Sequence, residues 1–257
     1  MKRVRLYVAC LIALSMIAIP FSAFALGLEA GVGYWKQTPS GTVSYTPGVE
    51  PTPNNTLDFK NDMNYTSKGQ PFVRVKAELP LILPNIYFMA TPMSFEADGK
   101  KDVAFHFGDT TFLANTAFQS KVKMDQYDLA FYYTFLNVIS LGKLNLDLGL
   151  NARFIKFEAS VTQGANTQSK SLSPVVPMLY AGIQIKPIKA FSIEAEGRGI
   201  AIGANHYYDF IGRVKIKPLG PLFIAGGYRS EDVKIDINDV KAAVKVSGPF
   251  VEAGISF

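Results

Sequence analysis

Two histidines, His106 and His206, are the only imidazoles in the chain, and imidazole is the side chain that most often serves as a general base near neutral pH. His206 opens the run His206-Tyr-Tyr-Asp209, so a histidine held by a carboxylate at the rim of a fold is the acid–base chemistry to test. The spacing argues against it. Two residues three apart on a strand face opposite sides, and no serine or second acid stands beside the pair. Gly31-Val-Gly33 and Gly197-Arg-Gly199 lie in strand-like runs, where glycine marks close packing or a bend rather than a phosphate cradle. No metal-ligand cluster and no nucleic-acid module appears, so no cofactor, metal or nucleic-acid partner is expected.

The richer set is a row of charges. Seven acids (Glu29, Glu78, Asp128, Asp147, Glu194, Glu196 and Glu252) and seven bases (Arg74, Lys76, Arg153, Arg198, Arg213, Lys215 and Arg229) alternate with apolar neighbours. Read as strands, they share one face, and near-equal numbers point to mutual pairing in an enclosed interior. Such an interior is either an ion-paired plug or a narrow, porin-like polar pore.

Two-residue alternation is what would place them. From Leu144 to Phe154, Leu144, Leu146, Leu148, Leu150, Ala152 and Phe154 share one face, while Asn145, Asp147, Asn151 and Arg153 share the other. Tyr127 to Phe135 alternates likewise against Gln126, Asp128 and Thr134; Phe191, Ile193 and Ala195 alternate against Ser192, Glu194, Glu196 and Arg198. Val73 to Leu79, Leu28 to Tyr34 and Val251 to Phe257 repeat the pattern. Connections come in two lengths. Pro80 to Pro84, Leu136 to Lys143, Lys186 to Lys189 and Lys217 to Pro221 are short. Lys36 to Gly69, Glu96 to Phe118, Val161 to Leu172, Gly203 to His206 and Ser230 to Val244 are longer and polar. Short turns at one end and long loops at the other are the arrangement of an all-β, antiparallel, up-and-down transmembrane barrel of about ten strands. A soluble β-sandwich alternates in the same way. Aromatics at strand ends (Tyr34, Phe72, Tyr133, Phe135, Phe191, Tyr207, Tyr208, Tyr228) and the aromatic last residue, Phe257, favour the barrel. Pro92 falls inside a strand, where it cannot donate to the ladder, and a bulge near the outer rim is expected there.

Of 257 residues, 48% are apolar and 18% charged, with 19 Phe, 12 Tyr and one Trp, a composition that excludes a disordered chain. The start is a processing signal. Lys2, Arg3 and Arg5 precede an apolar stretch from Leu6 to Ile19, and Ala23-Phe-Ala25 supplies a small-x-small cleavage site. Residues 1–25 therefore read as a signal peptide and 26–257 as one domain beginning at Leu26; Pro20 and the cleavage site weigh against a retained anchor. Of the net charge of +5, three positive charges sit in that leader, leaving +2, which is no nucleic-acid footprint. The sole cysteine, Cys10, lies in the leader too, so neither disulfides nor thiolate metal sites are expected.

The closing run Phe250-Val-Glu-Ala-Gly-Ile-Ser-Phe257 resembles the carboxy-terminal signal by which Gram-negative outer-membrane barrels are recognised for assembly. Asp125 to Tyr133, Leu146 to Arg153 and Gly226-Gly-Tyr-Arg229 are similar to segments of a family of small outer-membrane β-barrel proteins. That resemblance implies residence in the cell outer membrane and contact with its lipid, lipopolysaccharide and the barrel-assembly machinery, with Phe257 as the assembly signal. It implies no particular activity or ligand. Some barrels of this size are proteases or lipid-modifying enzymes, so an enzyme using a rim His206/Asp209 pair is the alternative to a structural, interaction or narrow-pore role. Lys100, Lys101 and the aromatic segment Phe105 to Phe112 are candidates for touching lipopolysaccharide or a partner, against the plainer reading of a solvated hairpin.

Overall fold

The computed structural model describes residues 27–48, 52–80, 82–136, 139–237 and 239–257; the expected leader and Cys10 lie outside them. In chain order the strands begin with β1 (Gly27–Tyr45), β2 (Leu57–Asp58), β3 (Lys68–Glu78), β4 (Asn85–Thr91) and β5 (Ser94–Lys100). A small hairpin, β6 (Phe105–Phe107) and β7 (Thr110–Phe112), precedes the long strands β8 (Ala117–Phe135) and β9 (Leu144–Gln163). β10 (Asn166–Leu172), β11 (Val175–Ile188), β12 (Phe191–Ile202), β13 (Asn205–Leu219), β14 (Leu222–Ile237) and β15 (Val240–Ser256) complete the chain. Each wall strand pairs antiparallel with the next, and β1 closes on β15 from Glu29↔Ser256 to Tyr45↔Val240. The result is a closed barrel of ten wall strands, because β4 with β5, and β10 with β11, are two halves of single strands.

Both interruptions fall at proline. Thr91 faces Gln126 and Ser94 faces Lys123, so the register on β8 is kept across Pro92 and Met93. The bulge expected at Pro92 is therefore a plain break in the ladder, since a bulge would have shifted the count. Likewise Leu172 faces Phe157 and Val175 faces Phe154 across Ser173 and Pro174. At the first break the wall also parts. β3 pairs with β4 only as far as Val73↔Ala90. Continuing that register would set Pro71 against Pro92, and neither has an N–H to give. Glutamines take over, Gln37 Nε2 donating to the Pro92 carbonyl at 2.9 Å and Gln70 Nε2 to that of Ser94 at 3.1 Å.

Outward faces carry the apolar belt: Val32, Val73, Phe131, Leu150, Leu179, Phe210, Ile224 and Val251 are all exposed. A closed barrel satisfies every backbone group internally, and an apolar outer belt around a charged interior suits it to lipid. Tyr34, Tyr133, Phe135 and Tyr228 are exposed on that outer surface, as expected of girdle residues, but Phe72 and Tyr207 are buried inside. Their parity with Arg74 and Asp209 puts them on the lumen face.

The outer end differs from the sequence reading in one respect. Val161 to Leu172 and Ser230 to Val244 are mostly ladder, the two-residue turn at Gly164 using a φ of +61°. Above the membrane both faces of a hairpin meet water, so the alternation that marks strands is lost and the segments read as loops. The true outer loops are formed by residues 52–67 and 101–116. They fold inward as a cap, where Phe105 and Phe112 stack at 5.1 Å and join Leu57, Phe59, Met63 and Tyr65 in one apolar cluster with Trp35, Phe72 and Phe250 of the wall. Gly108 N donates to Tyr45 O (2.8 Å) and Gln168 Nε2 to Thr110 Oγ1 (2.8 Å), pinning the hairpin between opposite walls. The aromatics expected to touch lipopolysaccharide thus face inward, and Lys101 is spent on Asp62 (2.8 Å) and the Thr56 carbonyl (2.9 Å); Lys100 stays exposed.

Candidate functional site

The lumen face of each strand supplies the site. On β12, Ser192, Glu194, Glu196 and Arg198 are buried, and on β13 so are Tyr207, Asp209, Ile211, Arg213 and Lys215. All fourteen charges of the sequence reading point inward: Arg74, Asp128, Arg153, Glu194, Glu196, Arg198, Arg213, Lys215, Arg229 and Glu252 are buried, Glu29, Lys76 and Asp147 partly so, and Glu78 is at the mouth.

They assemble in three tiers. Nearest the short-turn end, Arg213 bonds Glu194 Oε2 through Nε (2.8 Å), Glu252 Oε2 through Nη1 (2.8 Å) and Glu29 through Nη2. Lys215 Nζ lies 2.6 Å from Glu29 and 2.7 Å from Glu194. In the middle, Glu196 takes Arg74 at 2.7 Å, Lys76 at 2.6 Å and Arg198 at 3.3 Å. Further out, Asp128 receives Arg153 at 2.8 and 2.9 Å, while Asp209 collects Arg153, Arg198 and Arg229. Rings back the guanidinium groups: Arg198 lies 4.6 Å from the Tyr87 centroid, Arg153 4.8 Å from Tyr207 and Arg229 4.7 Å from Trp35. Buried ions persist only when paired and hydrogen-bonded in this way.

Contacts at two heights cross the barrel. β3 and β12 are five strands apart either way round the ring of ten, as are β8 and β14. Arg74 of β3 nonetheless touches Glu196 of β12 at 2.7 Å, and Gln126 of β8 touches Glu231 of β14 at 2.8 Å. The bore is therefore bridged across its diameter at two heights, and the apolar cluster and cap lie beyond.

Toward the short turns the lumen opens into a vestibule, a cavity of about 370 Å³ lined among others by Lys76, Glu78, Tyr132, Asp147, Lys186 and Lys217. Short turns, with Gly27 and Phe257 on the same side, make this the periplasmic mouth of an outer-membrane barrel. The extracellular rim holds no His206/Asp209 pair. Asp209 is fully buried among three arginines on the lumen face, whereas His206 sits on the outer face, stacked on Tyr208 (4.8 Å) and 3.3 Å from Asp232. The His106 ring meets Thr111 Oγ1 at 3.1 Å through Nδ1, and its backbone N–H donates to Asn55 Oδ1 at 2.9 Å. Asp209 and Glu231 are the lumen acids that the sequence reading missed. Their parity with Arg213 and Arg229 was the available signal.

No family model and no curated protein matches the sequence. Among solved structures, the outer membrane protease OmpT of Escherichia coli superposes with a TM-score of 0.51 at 10% identity, over 90% of this chain and 96% of that one. The attachment invasion locus protein Ail of Yersinia pestis gives 0.39 at 12% identity, over 90% and 99%. The translocator domain of the autotransporter NalP of Neisseria meningitidis gives 0.42 at 11%, over 99% and 96%. What the likeness to OmpT shows is the fold, that of a Gram-negative outer-membrane β-barrel, and this fold with its apolar belt accords with residence in the cell outer membrane.

Proposed function

We propose that this chain is a sealed, non-conducting and non-enzymatic outer-membrane barrel, whose work is structural or interactive and is done at its two ends rather than through its bore. The observation that carries this reading is the pair of diametric contacts, Arg74 to Glu196 and Gln126 to Glu231. Barrels of about eight strands fill with side chains and those of 16 or more hold water channels; the paired charges support reading this ten-stranded lumen with the filled ones. Residues 1–25 act as the removed leader, Phe257 as the assembly signal, and membrane lipid and lipopolysaccharide as the surroundings of the belt. The separation of His206 from Asp209 supports a role without catalysis.

Planar-bilayer recording on purified, folded protein tests the reading. The expected result is a baseline indistinguishable from protein-free membrane. Steady unitary conductance, reproducible between preparations and lost when folding is prevented, would overturn it and make the bore a narrow pore.

A further inference from the structure

In the sealed tiers every carboxylate meets a cation, but in the vestibule the pairing stops. Asp147 accepts a hydrogen bond from Thr134 Oγ1 at 2.7 Å and has no cation within ion-pair distance among the described residues. Lys76, its nearest basic neighbour in the cavity, is committed to Glu196 at 2.6 Å. Two residues along the same face of β9, Asn145 is 6% exposed; its amide donates to Gln184 Oε1 at 3.1 Å, and its Oδ1 is buried with no donor. Glu78, on β3, has no partner among the described residues. Asn145 Oδ1 is thus a buried acceptor without a donor, flanked by one carboxylate with a single hydrogen bond and one exposed carboxylate at the mouth. On β11 to β13, nearer the mouth, the imbalance is reversed. Lys186 and Lys189 have no side-chain partner among the described residues, and Lys217 holds only the Ser256 hydroxyl (2.9 Å) and carbonyl (3.4 Å).

We infer that the vestibule binds a small zwitterion from the periplasm, a molecule of amino-acid or short-peptide size with a free ammonium group and a free carboxylate. The ammonium donates to Asp147 and Asn145 Oδ1, with Glu78 adding field; the carboxylate lies against Lys186, Lys189 and Lys217. A purely anionic ligand would meet the uncompensated acids, and a purely cationic one the lysines at the mouth. The cavity holds about a dozen waters' volume at roughly 30 Å³ each, enough for a short peptide. Nothing in this depends on whether the tiers above conduct.

Full-length mature protein in detergent micelles, titrated with triglycine by calorimetry or saturation-transfer NMR, is the test. N-acetylated and C-amidated triglycine serve as controls. Free triglycine should bind saturably, and each cap should weaken it about tenfold, the scale of one charge-assisted hydrogen bond. Asp147→Asn should abolish the penalty of N-acetylation and leave that of amidation; the Lys186→Ala, Lys217→Ala double variant should do the converse. No saturable binding, equal binding of all three peptides, or cap penalties unchanged in both variants would overturn the proposal. If a variant fails to fold, as read by heat-dependent gel migration, the three peptides on wild type decide. A failed titration leaves the bilayer result untouched, so the two readings fall separately.

Discussion

Arg153→Ala is the perturbation that most directly probes the ion-paired lumen. The guanidinium is fully buried and gives Asp128 two hydrogen bonds, at 2.8 and 2.9 Å, while also bonding Asp209 and covering the Tyr207 ring. Of its three acids, Glu231, 3.8 Å away, keeps Arg229 at 2.5 Å, and the other two fare differently without it. Asp209 keeps Arg229 at 2.9 Å and Arg198 at 3.3 Å, but Asp128 keeps only the Asn151 amide at 2.7 Å. The cost is therefore that of one buried, uncompensated carboxylate, about 3–5 kcal/mol. With a urea slope of roughly 2–3 kcal/mol/M for a chain of this size, the midpoint should fall by about 1–2.5 M. Heat-dependent gel migration of protein refolded in lipid vesicles, followed across a urea series, reads that midpoint. Asp128→Asn should rescue Arg153→Ala in part, because it removes the orphaned charge. Asp209→Asn should worsen it, since Arg198 and Arg229 would then lose their shared acid. A midpoint for Arg153→Ala equal to wild type, or rescue by Asp209→Asn instead, would refute the argument.

Three further outcomes are expected. Amino-terminal sequencing of protein recovered from the outer membrane should begin at Leu26, and a start at Met1 would remove the leader assignment. Deleting Phe257, whose N–H bonds Leu28 O at 2.9 Å across the closing seam, should lower the yield of folded barrel in cells without altering the thermal stability of what does fold by more than about 1 kcal/mol. Burial pushes the Tyr65 phenol in the cap up to about 12. The folded cap thus holds that proton more tightly than the unfolded loop, and the stability this gives is fully present below pH 10 and lost between pH 10 and 12, about 2–3 kcal/mol at most. Trp35, the sole tryptophan, should report an alkaline loosening of the cap that Tyr65→Phe removes.

The wall and the lumen were legible because the side-chain period of a strand is two. Once Leu144 to Phe154 is placed apolar-out, Asn151 and Arg153 must face in, and the same parity found all fourteen charges. What the period does not carry is partnership. Arg74 and Glu196 stand 122 residues apart and meet only because their strands are diametric in the closed ring. Asp209 was misplaced for a different reason, because a histidine three residues away drew it to the rim when parity with Arg213 already put it inside. The cap was illegible for a third. Phe105, Phe107 and Phe112 occupy a hairpin too short for alternation to register, and what buries them is the pair of walls around them.

The alternation on β9 and β12 bears also on how such a chain reaches its destination. An outer-membrane protein must first pass through the inner membrane unfolded, where a sufficiently apolar helix would be halted. Coiled into a helix, Leu144 to Phe154 would place Asp147 and Arg153 in the bilayer, at about 2.5–3.5 kcal/mol each, against roughly 0.3–0.6 kcal/mol gained per leucine. The balance forbids insertion. The charges that line the lumen of the finished barrel are thus also what keeps its leucines from lodging in the wrong membrane, and an Asp147→Leu, Arg153→Leu variant would bring that segment nearer to arrest on the way out.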